Sequence, residues 1–239
     1  VRTMLWELLE VALVSAKEEL RPFQPTPAKV SNVYDALKAA AHLSQDYETP
    51  CWLELTPDLP PEEILPCANG LLHLPERKLL PASPLFFCHH ALDYPYDPHV
   101  PEPHEWLRFL NQLWADDPSS ITVLQEVIGY FLTPDTSQQK LFMLVGPKRS
   151  GKGTIGRVLR ASLGKDNVCA PTLASLGTNF GSAPLIGKLG AIISDARLGT
   201  RTDQHVVAER LLSISGEDAI TIDRKYREPW TGNITARFL

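Results

Sequence analysis

The strongest chemical signal in the sequence is a nine-residue run, GPKRSGKGT, at positions 146–154. It fits the pattern G-x-x-x-x-G-K, in which glycines let the backbone wrap so that several N–H groups point at a phosphate. Lys152 supplies a positive charge for the β- and γ-phosphates, and the N-terminus of the following helix adds its dipole. A glycine-rich turn that binds no nucleotide is the alternative. The candidate ATP-binding residues are Gly146, Pro147, Lys148, Arg149, Ser150, Gly151, Lys152, Gly153 and Thr154.

Two further residues are candidates for holding Mg²⁺. Gly153 stands where the pattern usually has Ser or Thr, so the candidate hydroxyl ligand is Thr154, acting directly or through water. Asp195 ends the apolar run LGAIISD, at the place where a carboxylate that binds magnesium belongs. Lys152 and Asp195 are therefore the candidate catalytic residues. A helix cap or a surface turn is the alternative for Asp195, and no second acid adjoins it as a water-activating base.

A basic and aromatic run near the end of the sequence is the third feature. Arg224, Lys225 and Arg227 surround Tyr226 in the alternating segment GEDAITIDRKYREPW, which predicts a β-hairpin. Cations interleaved with an aromatic ring suit single-stranded nucleic acid, since phosphates pair with charge and bases stack on rings. The three cations are the candidate DNA-binding residues. A hairpin whose cations only face solvent is the alternative.

The elements around these residues predict a parallel α/β sheet in the second half of the chain. KLFMLVG, at 140–146, is continuously apolar, as in a strand that is buried on both faces. A helix closed by Gly164 follows, then a second buried strand, GKLGAIISDA, and a helix, HVVAERLLSISG. ITARFL begins another strand. The order of strand, glycine loop, helix and strand is typical of a parallel sheet.

The first half predicts a smaller α+β domain, because 16 of the 21 prolines lie between Pro22 and Pro118. We predict an N-terminal domain at 1–118 and a P-loop domain at 119–239. The N-terminal domain is predicted to contain a β-meander within 64–88 and a helix at 105–114, and the P-loop domain is predicted to begin with a helix at 119–132. The predicted apolar stripe of the first helix is Leu5, Leu8, Leu9, Ala12 and Leu13. The predicted helix caps are Ser31 or Asn32 for the second helix, and Ser119 or Ser120 for the helix at 119–132.

Composition limits the class of protein. Of 239 residues, 44% are hydrophobic and 21% are charged, which excludes a disordered chain, and no apolar run is long enough to span a membrane. Residues 1–139 have 8 basic and 20 acidic residues, a net charge of −12, whereas residues 140–239 have 15 and 8, a net charge of +7. Only the basic half suits nucleic acid.

The four cysteines have no close pairing, which indicates reduced thiols in a cytoplasmic protein. A zinc site at Cys88, His89 and His90, with Cys67 and His73 upstream, is the less favoured alternative, since structural zinc ligands usually come in close pairs. Both ends of the sequence fall inside apolar patterns, which predicts a fragment of a longer protein.

These segments together resemble the superfamily 3 helicases, specifically the phage and plasmid primase–helicases of the poxvirus type. ILPCANGLLHL and YPYDP resemble the domain before the ATPase, and GYFLTPDTSQQKLFMLVGPKRSGKGTIGRVL resembles the Walker A region. GAIISDA resembles Walker B, although relatives mostly have Glu at the position of Asp195. LLSISGEDAITIDRKYREPW resembles the motif between Walker B and the sensor strand.

The resemblance implies an AAA+-like ATPase that hydrolyses ATP with Mg²⁺, forms a hexameric ring and unwinds single-stranded or forked DNA in the host cytoplasm. It implies a basic hairpin in the DNA channel, with a primase domain or a replication initiator as a partner. The family's sensor Asn and arginine finger would lie beyond Leu239, so this chain alone is expected to be weakly active. Two alternatives stay open: a P-loop small-molecule kinase, and a non-catalytic replication scaffold.

Overall fold

A computed structural model describes residues 1–16, 19–44, 47–53, 59–196 and 203–239. The chain divides into two compact units, Val1–Glu48 and Thr49–Leu239. The first unit consists of two helices and an antiparallel hairpin. The second has mixed α/β structure with several small sheets, one of which is parallel. No helix in the described ranges is long and apolar enough to cross a membrane.

The first unit begins with a helix that is shorter than the sequence predicts. Its elements are α1 (Arg2–Glu10), β1 (Leu13–Ala16), β2 (Glu19–Pro22) and α2 (Pro27–Ala40). The predicted stripe is wrong: Leu5 is buried, but Leu8 is exposed within α1, and Leu13 lies in β1 and is exposed. Val14, inside β1, favours the strand, because β-branched side chains prefer extended backbone to helix.

The second helix starts before the predicted caps. Thr26 is the N-cap, and its Oγ1 accepts a 3.3 Å hydrogen bond from the backbone N–H of Lys29. Pro27 occupies the first helical position, where its fixed φ favours the helix and its missing N–H costs nothing. The prediction of Ser31 or Asn32 as the cap is therefore wrong, since both lie inside α2.

The β-meander predicted in the first half is confirmed. Three antiparallel strands follow one another in the order β4–β5–β6. A second antiparallel pair is formed by β3, which precedes these strands in sequence, and β7, which follows them. The side-chain amide of Asn69 exchanges two 2.9 Å hydrogen bonds with the backbone of Tyr96, which fixes the proline-rich loop to the meander. The strands are β3 (Cys51–Trp52), β4 (Ile64–Cys67), β5 (Gly70–His73), β6 (Lys78–Leu80) and β7 (Phe86–Phe87).

Two helices connect the meander to the parallel sheet. They are α3 (His104–Leu113) and α4 (Pro118–Leu132), close to their predicted bounds. The cap of α4 is Asp117, whose side chain accepts from the Ser120 N–H at 3.2 Å, so neither predicted serine is the cap. Leu110 and Leu124 are buried together with Ile155 of the next helix. The predicted domain boundary at 118/119 stays a prediction.

The parallel sheet has the strand order β12–β9–β8 and carries a core on each face. One core packs under α5 and α4, with Phe131, Leu159 and Leu163 fully buried. The other packs under α6, α7 and the hairpin β10–β11. The elements are α5 (Lys152–Leu163), β8 (Val168–Cys169), α6 (Leu173–Leu176), β9 (Gly190–Ala191), α7 (Gln204–Ser215), β10 (Ile220–Arg224), β11 (Arg227–Gly232) and β12 (Arg237–Phe238). Single 3₁₀ turns lie at Pro61–Glu63, Lys165–Asn167 and Ala183–Leu185.

The buried strand predicted at 140–146 is wrong. This segment has no strand structure, although the Phe142 N–H donates to the Phe238 carbonyl oxygen of β12 at 3.0 Å. Phe142 packs into the core under α5. Met143 and Val145 point the other way and are 77% and 86% exposed. The described part of the chain covers one face of the segment, so its apolar residues alternate between the core and solvent.

A buried histidine, His90, makes the stability of the fold depend on pH. The pKa of His90 is lowered to about 4, mainly by burial; a hydrogen bond with the Gly187 backbone acts in the opposite sense, and the charges on His89, Lys188 and Arg237 add to the lowering. His90 is neutral in the folded protein and binds a proton readily only after unfolding. Its contribution to stability is therefore present above pH 6.5 and is lost as the pH falls towards 4.

We expect acidification from pH 7 to pH 5 to cost about 2 kcal/mol of unfolding free energy through His90. Urea unfolding at the two pH values measures the loss. His90→Leu should remove this part of the pH dependence. His89→Gln, at an exposed neighbouring position, should keep it. If the unfolding free energies of wild type and His90→Leu depend equally on pH, His90 is not the source of the loss of stability in acid.

Candidate nucleotide-binding site

The loop at 146–151 folds back over the start of α5. Gly151 is the N-cap of this helix and has a φ of +80°, which a glycine adopts without strain. The Gly151 carbonyl oxygen accepts from the N–H groups of Thr154 (2.9 Å) and Ile155 (3.1 Å), so the helix begins at once after the loop. The sequence pattern predicted this order of loop and helix.

Lys152 lies at the centre of the loop. Its Nζ donates hydrogen bonds to the backbone carbonyl oxygens of Gly146 (2.8 Å) and Pro147 (2.7 Å) and to Ser150 Oγ (3.2 Å). Lys148 and Arg149 are exposed. The loop thus wraps around a single ammonium group, an arrangement in which phosphate oxygens would replace the loop's own oxygens as partners of the lysine.

A helix of the first half supports the loop from behind. A Cβ on Gly151 would lie 2.8 Å from Cζ of Phe109 and 3.1 Å from Cδ1 of Leu113, so both side chains of α3 press against the glycine. The Phe109 ring stacks on Trp106, with 5.5 Å between ring centroids. The glycine loop is therefore supported by α3, whose last residue, Leu113, lies 38 residues before Gly151.

Gly151→Ala should lower the free energy of unfolding by about 1–3 kcal/mol, because alanine would be strained at this φ and would clash with Phe109. Two glycines separate the causes. Gly187 has a φ of +66° with open space around it, so Gly187→Ala measures strain alone. Gly129 lies in α4 in open space, and Gly129→Ala should raise stability by about 0.5–1 kcal/mol. Urea unfolding measures the free energy of unfolding of all three variants. If Gly151→Ala loses no more stability than Gly187→Ala, the clash with Phe109 contributes nothing to the loss.

A cavity of about 600 Å³ opens beside the loop. Lys152 and Asp195 both line it, together with apolar side chains from the sheet. The segment after β9 leads to Asp195: the Ile192 N–H donates to the Cys169 carbonyl oxygen at 2.9 Å, and Ile193 donates to Leu239 at 2.7 Å. The exposed carboxylate thus follows the end of a parallel strand, where the sequence predicts it.

The predicted pair of magnesium ligands fits this cavity only in part. Asp195 offers a carboxylate to the cavity, whereas Gly153 has no hydroxyl. Thr154 Oγ1 accepts a 2.9 Å hydrogen bond from Arg157 Nη2, so a cation already faces this hydroxyl. The geometry does not favour Thr154 as a magnesium ligand. Among the described residues, no three His, Cys, Asp or Glu side chains are grouped to hold a metal ion.

All four cysteines are free thiols. Cys169 lines the cavity, and burial raises the pKa of its thiol to about 11, so the group stays protonated at neutral pH. The protonated thiol contributes to the apolar wall of the cavity.

The predicted basic hairpin is confirmed as β10–β11. Its base is anchored in the core, since Ile222 is buried and Trp230 packs beside it. At its tip, Tyr226 is 93% exposed, and Lys225 Nζ lies 5.2 Å from its ring centroid. Arg224 Nε donates to the Glu228 carbonyl oxygen at 2.9 Å and so closes the hairpin.

The structure brings some predicted site residues together and leaves others apart. Lys152, Gly153 and Asp195 share the cavity, but none of the three hairpin cations lines it. The hairpin is a separate surface of the same unit.

Two family models match separate segments of the chain. Residues 1–115 match the family model described as D5 N terminal like. This is a domain of poxvirus D5 and phage primase–helicase proteins, so the match supports a primase–helicase-like replication protein. Residues 144–239, which hold the loop and the hairpin, match a family of unknown function (DUF5906). No curated protein matches the chain.

Three residues at or near the site carry no motif in the sequence. Phe109 and Leu113 support the loop from another element, a contact that no local pattern predicts. Arg157 belongs to α5. Helical spacing could have indicated that it lies near Gly153, because positions 153 and 157 share one face of a helix.

Proposed function

We propose that this protein is an ATP-dependent DNA helicase of a phage or mobile-element replication system. It hydrolyses ATP to move along DNA and unwind it. The observation that carries the proposal is the Lys152 ammonium, which is wrapped by the 146–151 loop at the start of α5 and shares a cavity with Asp195. The D5 N terminal like match of residues 1–115 supports a role in replication.

The residues divide the work between ATP and DNA. Lys152 and the backbone of residues 146–154 bind the phosphates, and Lys152 stabilises the charge that develops during phosphoryl transfer. Asp195 is the carboxylate we propose for the divalent cation that accompanies ATP. Lys225 and Arg227 bind DNA phosphates at the tip of the hairpin, and Tyr226 offers a ring for base stacking.

We further propose that the protein works as a ring, with six copies as the expected number, on single-stranded or forked DNA. A primase domain or a replication initiator is the expected partner, and the host cytoplasm is the expected location. The net charge of +7 over residues 140–239 supports DNA as the ligand of this half of the chain. The free thiols agree with a reducing compartment.

A forked-DNA assay on the complete protein tests the proposal. Strand separation is expected with ATP and not with a non-hydrolysable ATP analogue, and light scattering should show a ring of several copies. ATP hydrolysis without strand separation on any forked substrate would contradict the helicase function.

A further inference from the structure

Arg157 places its guanidinium over Gly153, one turn back along α5. Its Nη1 lies 3.7 Å from the point where a Cβ on residue 153 would stand. Its Nη2 donates a 2.9 Å hydrogen bond to Thr154 Oγ1. A positive charge therefore occupies the space into which a side chain at position 153 would project.

Position 153 is where phosphate loops of this pattern usually have the hydroxyl that binds magnesium. Here the position has no hydroxyl, and the neighbouring hydroxyl of Thr154 already bonds to the guanidinium. A divalent cation held at this point would lie close to the Arg157 charge and would be repelled by it. The surroundings of Arg157 therefore favour an anion.

A guanidinium suits a phosphate group well, because its planar fork donates two parallel hydrogen bonds to phosphate oxygens. Arg157 is exposed and lines the same cavity as Lys152. The start of α5 adds the positive end of its helix dipole to these two charges. Arg160 lines the cavity as well, whereas Arg157 is the guanidinium that lies over Gly153 and bonds to Thr154.

Resting on the function proposed above, we infer that Arg157 binds the terminal phosphates of ATP from the side of Gly153. ATP binding then depends only weakly on a divalent cation at the loop. Thr154 acts as a positioning residue, because its hydroxyl holds the guanidinium in place. Gly153 leaves room for the arginine, since a longer side chain there would compete for the same space.

Titration calorimetry with ATP, in magnesium and in EDTA, tests this inference. Wild-type affinity should change by less than about threefold when the metal is removed. Arg157→Gln should bind ATP about tenfold more weakly than wild type in EDTA, because one charged hydrogen-bonding partner is lost. Lys165→Gln is the matched control: Lys165 is an exposed cation that follows α5 and does not line the cavity, so this variant should bind like wild type. Circular dichroism checks that each variant is folded.

A double variant gives a second, independent readout. Gly153→Ser with Arg157→Gln restores the usual hydroxyl and removes the competing charge. Its ATP affinity should be at least about tenfold higher in magnesium than in EDTA. Thr154→Val should weaken ATP binding in EDTA less than Arg157→Gln does, because it removes only the partner that orients the arginine.

Two results would overturn the role of Arg157: equal ATP binding by Arg157→Gln and Lys165→Gln in EDTA, or a loss of wild-type affinity of more than about tenfold on metal removal. The proposed function fails in a different way, through Lys152. If Lys152→Ala binds ATP as tightly as wild type, the loop is not a nucleotide site.

Discussion

Lys152→Ala should lower ATP hydrolysis by the complete protein at least about 10²–10³-fold, as the loss of a preorganised charge at the transition state usually does. The lysine is the one group that the whole loop surrounds, through the carbonyl oxygens of Gly146 and Pro147 and the hydroxyl of Ser150. Steady-state phosphate release measures the rate. Circular dichroism and urea unfolding show whether the fold is kept, and we expect that it is, because the side chain serves no hydrophobic core.

Lys165→Ala is the matched control for this experiment. Lys165 follows the last turn of the same helix and is exposed, so its removal takes away a positive charge without touching the loop. It should leave the rate unchanged. Turnover by Lys152→Ala close to that of wild type would reject the loop as a phosphate site.

The same measurement separates the rival functions. A small-molecule kinase would transfer phosphate to a nucleoside monophosphate, and Lys152→Ala would abolish that transfer as well. A replication scaffold would show no turnover in the wild-type protein. DNA-stimulated hydrolysis that depends on Lys152 fits the helicase and neither rival.

The order of loop, lysine and helix could be predicted because it is local. Glycines at 146 and 151 and a lysine at 152 indicate a loop that leads into the start of α5, although contacts from α3 also support it. The meander turn at Asn69 was predictable for the same reason, since turn residues act over a few positions. The hairpin was predicted from its alternation, but the place of its turn at Tyr226 was not.

The features that the sequence did not predict depend on contacts between distant parts of the chain. The apolar run at 140–146 has the composition of a doubly buried strand, but burial depends on what covers each face, and Met143 and Val145 are exposed. The support of Gly151 by Phe109 joins two elements that are far apart in sequence. No periodicity in a single segment contains that information.

The direction in which a side chain points was the other property that could not be predicted from the sequence. The sequence pattern offered Thr154 as a substitute for the missing hydroxyl at position 153, on the ground of its adjacency. The structure turns that hydroxyl towards Arg157, because residues three apart on a helix lie side by side. The helix caps were predicted wrongly, because Pro27 and Pro118 take the first helical position and leave Thr26 and Asp117 as caps.

Lys225→Ala combined with Arg227→Ala should abolish DNA unwinding while leaving basal ATP hydrolysis near the wild-type rate. Both side chains are exposed at the hairpin tip, and neither lines the cavity that holds Lys152 and Asp195. Arg224 is a poorer choice than the sequence suggests, because its bond to Glu228 also closes the hairpin. The double variant therefore removes the proposed contacts with DNA phosphates and leaves the hairpin folded.

The expected signature is a change in salt dependence as well as a loss of unwinding. Each lost contact with a single-strand phosphate should reduce the slope of log affinity against log salt by about 0.7. Lys78→Ala is the matched control, since Lys78 is also an exposed lysine that starts a strand after a tight turn, in the meander. Unwinding, basal hydrolysis and single-strand binding are measured on all three proteins. If the double variant unwinds DNA normally and keeps the wild-type salt slope, the hairpin cations face only solvent, and the DNA contact lies elsewhere in the basic half.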